Sequence, residues 1–386
     1  MAMTILDSDR RPGISSPHEG RRGVGIHGSA DVGRCEVEDA VLKELNLPDD
    51  PRWDEFVSHH PQGTLYHRSA WGRVLRQTYG YTPFSLGLFS ADGLQLQGGL
   101  LLMLVRSPFT GRRLVSLPFT GYCNPLVPEA RLEEMMHFAY DRFPGIDYVE
   151  LKFLDSGSPD AKRDLVATPF VNHALRLKRD IGELFQSFHN TCVRQRVRRA
   201  EREGLTPRMG AATESRLRDF YRLYTGVRRH HGLPPQPYAF FANMHRILTP
   251  EGLFELPVIE YEGRAIAAAV LLKSRSVWHL EYSASDARFL KHGPNQLLIW
   301  ECIKKAHQNG AEFFDFGRTS LWHRQLLEFK ERWGAEGKPI SHRYLPSGAT
   351  ARSFRNPSSG LLAQINRRLP AFLLEWEGRL LYRHMG

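Results

Sequence analysis

The sequence predicts an α/β protein built of tandem domains, each with a mixed, largely antiparallel central sheet flanked by helices. Two observations carry this. Apolar residues recur with the two-residue period of strands or the helical period of 3.6, in the order ααβββαβ, and a similar order begins again near Ile181. Antiparallel strands followed by a helix and a crossover strand make one mixed unit, here written twice. A chain of 386 residues has room for both at about 150 residues per domain.

Residues 1–35 are rich in Gly, Ser, Pro and Arg without apolar periodicity, which predicts a disordered tail. The first domain is expected over 36–180. It opens with a short helix at Val41–Leu45 and another through Trp53, Phe56 and Val57. His67–Thr78 then places Trp71, Val74 and Leu75 on one helical face. Strands are expected at Phe84–Phe89, Leu96–Val105 and Leu114–Pro118, a helix at Glu129–Phe143, and a strand at Tyr148–Phe153. In the second domain, 181–346, helices are expected at Thr191–Glu203, Glu214–His230 and Tyr238–Leu248, with Thr191 as N-cap of the first. Strands follow at Leu256–Tyr261, Ala265–Leu272 and Val277–Ser283. A helix at Pro294–Gln308, a strand at Phe313–Phe316, a helix at Leu321–Trp333 and a strand near Ile340–Tyr344 complete it. Residues 347–386 read as a basic amphipathic segment of two short helices, Leu361–Arg368 and Pro370–Arg383, the second opened by Pro370.

Composition excludes several classes. Cys35, Cys123, Cys192 and Cys302 are widely spaced and form no CxxC pair, as expected of reduced cysteines in a cytosolic protein. His59-His60 and Arg229-His230-His231 lack metal-ligand spacing, so no metal site is expected. The longest apolar runs, Leu100–Val105 and Ala265–Leu272, are too short to span a bilayer, and no signal peptide is visible. The expected location is the cytoplasm, either free or peripheral at the inner face of the membrane.

The net charge of +10 is concentrated. Nine Lys/Arg against four acids between Arg176 and Arg208 give +5, and six Arg against Glu375 and Glu377 from Ser347 onward give +4. In the first segment Arg194, Arg198 and Arg202 lie at i, i+4, i+8 and form one stripe. The stripe is either a solvated face or a phosphate site. In the second, Arg367, Arg368, Arg379 and Arg383 flank an apolar set that includes Leu373 and Trp376. That segment is either a hairpin closing over the second domain or an element lying on an anionic membrane.

Polar residues cluster at the strand ends of the second domain, where open sheets place substrates. Gly293-Pro294-Asn295 starts a helix whose exposed N–H groups could hold a phosphate, or is a plain turn. In FDFGRTS, Asp315 and Arg318 flank Gly317 and either fix a polar substrate or pair with each other. Lys330 falls near the apolar side of its helix, beside Phe329 and Trp333, and is either snorkelling or held inward as a desolvated cation.

YSASD (Tyr282–Asp286), GPNQLLIWE (Gly293–Glu301), FDFGRTS (Phe314–Ser320) and EFKERWGAE (Glu328–Glu336), in this order, resemble the FemAB-type aminoacyl or acyl transferases, a branch of the GNAT-like acyltransferases. Phe329-Lys330 followed by Trp333-Gly334 matches the family's Phe-Lys pair and aromatic-Gly. Arg194, Arg198, Arg199, Ala200, Gly204 and Leu205 match the run opening its second domain. LVSLPFTGYCNPLVP (Leu114–Pro128) resembles its S-L-P-[FY] strand and loop, with Cys123-Asn124 where many relatives have paired glycines. The glycine-rich GNAT coenzyme A loop is not matched, since Gly293 stands alone.

The resemblance implies tandem GNAT-like domains and N-acyl transfer onto an amine of a cell-wall (peptidoglycan) or exopolysaccharide precursor. It implies no tightly bound cofactor and a donor that is aminoacyl-tRNA or acyl-CoA. It puts Lys330 in the transfer site, stabilising the tetrahedral oxyanion. Asp315 and Asp286 are the candidate bases. Phe329, Arg318, Tyr282, Asn295, Tyr122 and Asn124 are candidate substrate contacts, and Arg194, Arg198 and Gly293 candidate phosphate contacts. The alternative is a non-catalytic module that binds phosphate, nucleic acid or an envelope precursor.

Overall fold

The computed structural model describes residues 40–47, 50–154, 165–177, 180–210, 212–349 and 361–385; the expected tail at 1–35 lies outside them. The first half runs β1 (Val41–Leu45), α1 (Pro51–His59), α2 (Ser69–Tyr79), β2 (Thr82–Phe89), β3 (Leu96–Ser107), β4 (Gly111–Val115), α3 (Glu129–Asp141), β5 (Tyr148–Leu154) and β6 (Val166–Arg176). The second runs α4 (Ile181–Ser187), α5 (Gln195–Arg202), β7 (Thr206–Arg208), α6 (Glu214–His230), α7 (Tyr238–Leu248), β8 (Phe254–Glu255), β9 (Val258–Tyr261), β10 (Arg264–Lys273) and β11 (Val277–Ser285). It continues with α8 (Pro294–Gln308), β12 (Phe313–Ser320), α9 (Arg324–Glu331) and β13 (Glu336–Leu345), and ends in α10 (Leu361–Arg368) and α11 (Ala371–Tyr382).

The thirteen strands among the described residues join one mixed sheet, ordered β1-β2-β3-β4-β5-β13-β6-β12-β11-β10-β9-β7, with β8 beside β10. The two halves repeat one plan. Antiparallel strands lead to a parallel pair joined by a crossover helix: β4 and β5 through α3, β11 and β12 through α8. The last strands are then exchanged. β6 follows β5 in the chain but pairs with β12, while β13 follows β12 but pairs with β5 and β6. β6 lies on the first-half side of the boundary expected at 180, yet it pairs only with strands of the second half.

Three apolar cores result. α3 covers one face of the first half through Leu132, Met135 and Met136. α5 and α8 cover one face of the second half through Val197, Leu298 and Ile303. The third core is common to both halves, where Trp53 and Trp71 of α1 and α2 meet Phe220, Phe240 and Phe241 of α6 and α7. The near-continuous apolar runs of β3 and β10 follow, since each strand is buried on both faces.

Three local expectations need correction. Val41–Leu45 is a strand, not a helix: five residues gain more by pairing with β2, and Lys43 and Glu44 suit an open edge. β6 was not expected at all, because Pro169, Asn172 and His173 break its apolar pattern. The helix start at Thr191 is a π-turn, Asn190–Arg194, whose cap is His189: its ring nitrogen accepts from the Cys192 N–H at 3.3 Å.

Candidate active site

β11 and β12 are paired only over Val277–His279 and Phe313–Asp315. Past that point both strands are irregular. On β11 Glu281 is the extra residue of a bulge against β10, which turns Tyr282 to the opposite face from Leu280. On β12 Phe316 is the extra residue against β6, and Gly317 takes φ +72°, which a side chain would resist. The site lies where these bulges meet β6.

Asp315 is its hub, buried and surrounded by donors. Oδ2 accepts from His279 Nδ1 and from the Tyr122 hydroxyl, each at 3.2 Å. Oδ1 accepts from Asn172 Nδ2 at 3.0 Å and the Gly317 N–H at 2.6 Å. Burial alone would raise the Asp315 pKa, but His279, Gly317 and Asn172 together hold it below its ordinary value. Glu281 differs: burial raises its pKa, and it accepts a hydrogen bond from the Tyr66 hydroxyl. The Tyr66 ring lies 5.0 Å from that of His279.

Lys330 is fully buried, so the inward reading holds over snorkelling. Its Nζ donates to the Gly317 carbonyl at 2.6 Å. Burial pushes its pKa down to about 7 against the opposing pull of Asp315 and Glu281. Arg318 does not pair with Asp315. Its guanidinium lies over the Phe170 ring, 4.8 Å from the centroid. Asn172, His279, Glu281, Asp315, Tyr122 and Arg318 line a cavity of about 10 Å³, room for about one water.

Asp315, Arg318 and Tyr122 thus line one cavity, and Lys330 is joined to it through the Gly317 carbonyl. Others are placed elsewhere. Asp286 caps the turn after β11 and is bonded by Arg288 at 2.6 Å, so it is held ionised and occupied. Tyr282 is packed in the shared core against Tyr224 and Phe241. Phe329 is buried beside Trp333 in the core under α8. Asn124 clips the end of β5, its Oδ1 accepting from the Leu154 N–H at 2.8 Å. Asn295 is buried in the first turn of α8 and does not line the cavity.

The expected phosphate contacts are also engaged. A Cβ on Gly293 would lie 2.8 Å from the Arg196 carbonyl, so α5 covers this helix start. Arg194 donates to Gln186 at 2.5 Å, and Arg198 lies over the Phe185 ring. An open basic groove of about 730 Å³ occurs instead between α6 and the β11–α8 turn, walled by Arg222, Arg229, His230, Arg288 and Arg367.

Sequence reasoning missed His279, Glu281, Asn172 and Tyr66. The alternation in Trp278-His279-Leu280-Glu281 was a usable signal: polar residues on one face of a central strand. Asn172 and Tyr66 carried none, being distant in the chain from the motifs. Among the described residues no group of three His, Cys, Asp or Glu is placed to hold a metal ion.

Residues 187–331 match the acetyltransferase (GNAT) domain family. No curated protein matches the chain. Among solved structures, a FemX crystal structure superposes with a TM-score of 0.65 at 16% identity, covering 78% of this chain and 97% of that one. A tandem GNAT protein from the clavulanic acid biosynthesis pathway has a TM-score of 0.50 at 10% identity, covering 81% and 99%. A conserved protein of unknown function from Bacteroides thetaiotaomicron VPI-5482 also has 0.50 at 10% identity, covering 78% and 98%. The chain therefore carries a GNAT-type domain in its second half and has a FemX-like, tandem-GNAT-like fold.

Proposed function

We propose that this acyltransferase-type fold moves an acyl or aminoacyl group from an activated ester or thioester onto an amine of a cell-envelope precursor, in peptidoglycan or exopolysaccharide assembly. The observation that carries the reading is Lys330, a buried ammonium fixed by the Gly317 carbonyl beside Asp315. Amide formation passes through a tetrahedral oxyanion, and a preorganised cation in a site without water stabilises that charge most. Lys330 occupies the position of the Phe-Lys motif, and the GNAT domain match covers it.

The donor is aminoacyl-tRNA or acyl-CoA, bound transiently. The covered helix start at Gly293 disfavours the usual docking of the coenzyme A pyrophosphate there. The groove walled by Arg229 and Arg288 offers the donor's phosphates another place. Among the described residues no helix is long and apolar enough to cross a membrane. The outer face of α11, with Phe372, Trp376 and Leu380 exposed, would bring the enzyme to a lipid-linked acceptor.

Separate incubation with acetyl-CoA and with aminoacyl-tRNA, followed by detection of the consumed donor, tests the reading. Lys330→Met keeps most of the stem and removes the charge. It should lower turnover roughly 100- to 1,000-fold, as loss of one oxyanion donor does. A fully active variant would remove Lys330 from the transfer site, whereas consumption of neither donor would leave a binding module in place of a transferase.

A further inference from the structure

The cavity beside Asp315 contains two buried polar atoms that nothing among the described residues satisfies. Asn172 Oδ1 and His279 Nε2 have no hydrogen-bond partner among the described residues, and both side chains line the cavity. Their chemistry is fixed by the carboxylate between them. An ionised Asp315 only accepts, so Asn172 must turn its amide nitrogen toward it and its oxygen away. By the same argument His279 presents Nδ1–H to Asp315, and the neutral ring then has its lone pair on Nε2. Two orphaned acceptors in one cavity call for a donor ligand with more than one N–H or O–H. The volume, about 10 Å³, admits a group of about the size of one water. At the same cavity Arg318 is half-buried over Phe170, and no hydrogen bond or ion pair to its guanidinium is found among the described residues.

We propose that this cavity receives the acceptor amine of an amino-acid-type substrate, with His279 Nε2 as the base that takes its proton and Arg318 holding the substrate's carboxylate. This deepens the transferase reading and rests on it. The neutral amine donates to Asn172 Oδ1 and His279 Nε2, and its lone pair attacks the donor carbonyl. The C–N bond forms, the carbonyl oxygen takes the negative charge beside Lys330, and the amine proton passes to His279. Collapse breaks the bond from the carbonyl carbon to the leaving oxygen or sulfur, which takes that proton from the imidazolium. Asp315 is a positioning residue: it fixes the His279 tautomer and the Asn172 orientation together.

Nitrogen-detected NMR of the full chain with ¹⁵N-labelled histidine tests this without any acyl donor. His279 is assigned by its loss in His279→Gln. Should that variant not fold, the contact with the Tyr66 ring assigns it in the unaltered chain. His279 should carry a proton on Nδ1, toward Asp315, and its Nε2 signal should move on titration with methylamine and with glycine. Glycine should bind about tenfold more tightly, as expected for one charge-assisted hydrogen-bonded contact, and Arg318→Gln should abolish that preference. Asp315→Asn should scramble the tautomer. An Nε2 signal unmoved by either amine would mean the cavity holds only a structural water, and equal affinities for the two would remove Arg318 from the site. Either result overturns the proposal and leaves the transferase reading standing. If instead neither donor is consumed, the transferase reading fails while the titration still decides the amine site. In a confirmed transfer assay, His279→Gln with an unchanged rate and pH profile would also overturn it.

Discussion

Lys330 is a charge kept where water cannot solvate it, and that has two measurable consequences. Its pKa is near 7 in the folded protein and 10.5 ordinarily. Oxyanion stabilisation needs the ammonium, so the transfer rate should fall as pH rises through about 7. Asp315 opposes the loss of that proton, so Asp315→Asn should move the alkaline limb of the profile to lower pH. The stability effect has the opposite slope. Between about 7 and 10.5 the unfolded chain binds the proton that the folded protein has lost, so stability contributed by this residue rises with pH. Below that window both states are protonated and the full burial penalty remains. Lys330→Met should therefore raise stability by a few kcal/mol near pH 6. The gain should shrink toward pH 10, as read by denaturant melts at several pH values. An inactive but more stable variant would separate the functional role of this side chain from any structural one.

At the scale of elements, the bulged end of β12 turns the Gly317 carbonyl onto Lys330. A Cβ at Gly317 would meet no atom within 4 Å, so Gly317→Ala has only the positive φ to overcome. The expected cost is about 1–2 kcal/mol, with a larger fall in turnover if the carbonyl swings away from Nζ; thermal melts and initial rates check both. α5 and the turn before it offer a contrast. Arg194, Arg198 and Arg199 are taken by Gln186, Phe185 and Glu203, whereas Arg229 is exposed in the open groove, and Arg288 beside it is paired with Asp286. Replacing Arg229 and Arg288 by Gln should weaken donor binding and flatten its salt dependence. Replacing Arg194 and Arg198 should do neither. This contrast also shows what the sequence could carry. Helices and inner strands were legible because burial imposes their periods, and β10 and α8 were found nearly to the residue. The edge strand β1 and the polar strand β6 were not, because pairing partners far along the chain decide them. The site follows the same division. Lys330, Asp315 and Arg318 sit in local motifs, whereas Asn172 and Tyr66 become neighbours only through the exchanged strands and the shared core.

At the scale of the whole molecule, the C-terminal hairpin answers to two constraints, one on each face. Its inner face is part of the fold. Tyr382 of α11 is buried, accepts from Arg228 Nη2 at 3.0 Å, and its carbonyl accepts from the Tyr81 hydroxyl at 2.9 Å, tying α11 to both halves. At Gly378 the helix approaches the Pro235 carbonyl so closely that a Cβ would lie 2.0 Å from it. The segment is therefore a docked hairpin, and docking leaves a second apolar stripe outside, the face that a membrane reading needs. Phe372, Trp376 and Leu380 recur at i, i+4, i+8 and are 67%, 62% and 49% exposed. Arg379 and Arg383 are exposed on the same helix. Such a stripe is costly in water. Inserted at a bilayer surface, each large side chain gains about 1.5–3 kcal/mol, and the arginines add attraction to anionic lipid. Phe372→Ser with Trp376→Ser should therefore lower sedimentation with anionic vesicles at least tenfold while leaving the melting temperature unchanged, because neither side chain belongs to the core. Gly378→Val should do the reverse to the fold: the clash with Pro235 lifts α11 from α6 and lowers the melting temperature. If the unaltered chain ignores anionic vesicles at low salt, the membrane assignment fails. If instead the serine pair destabilises the protein, the stripe is an internal surface of the folded molecule and not a docking face.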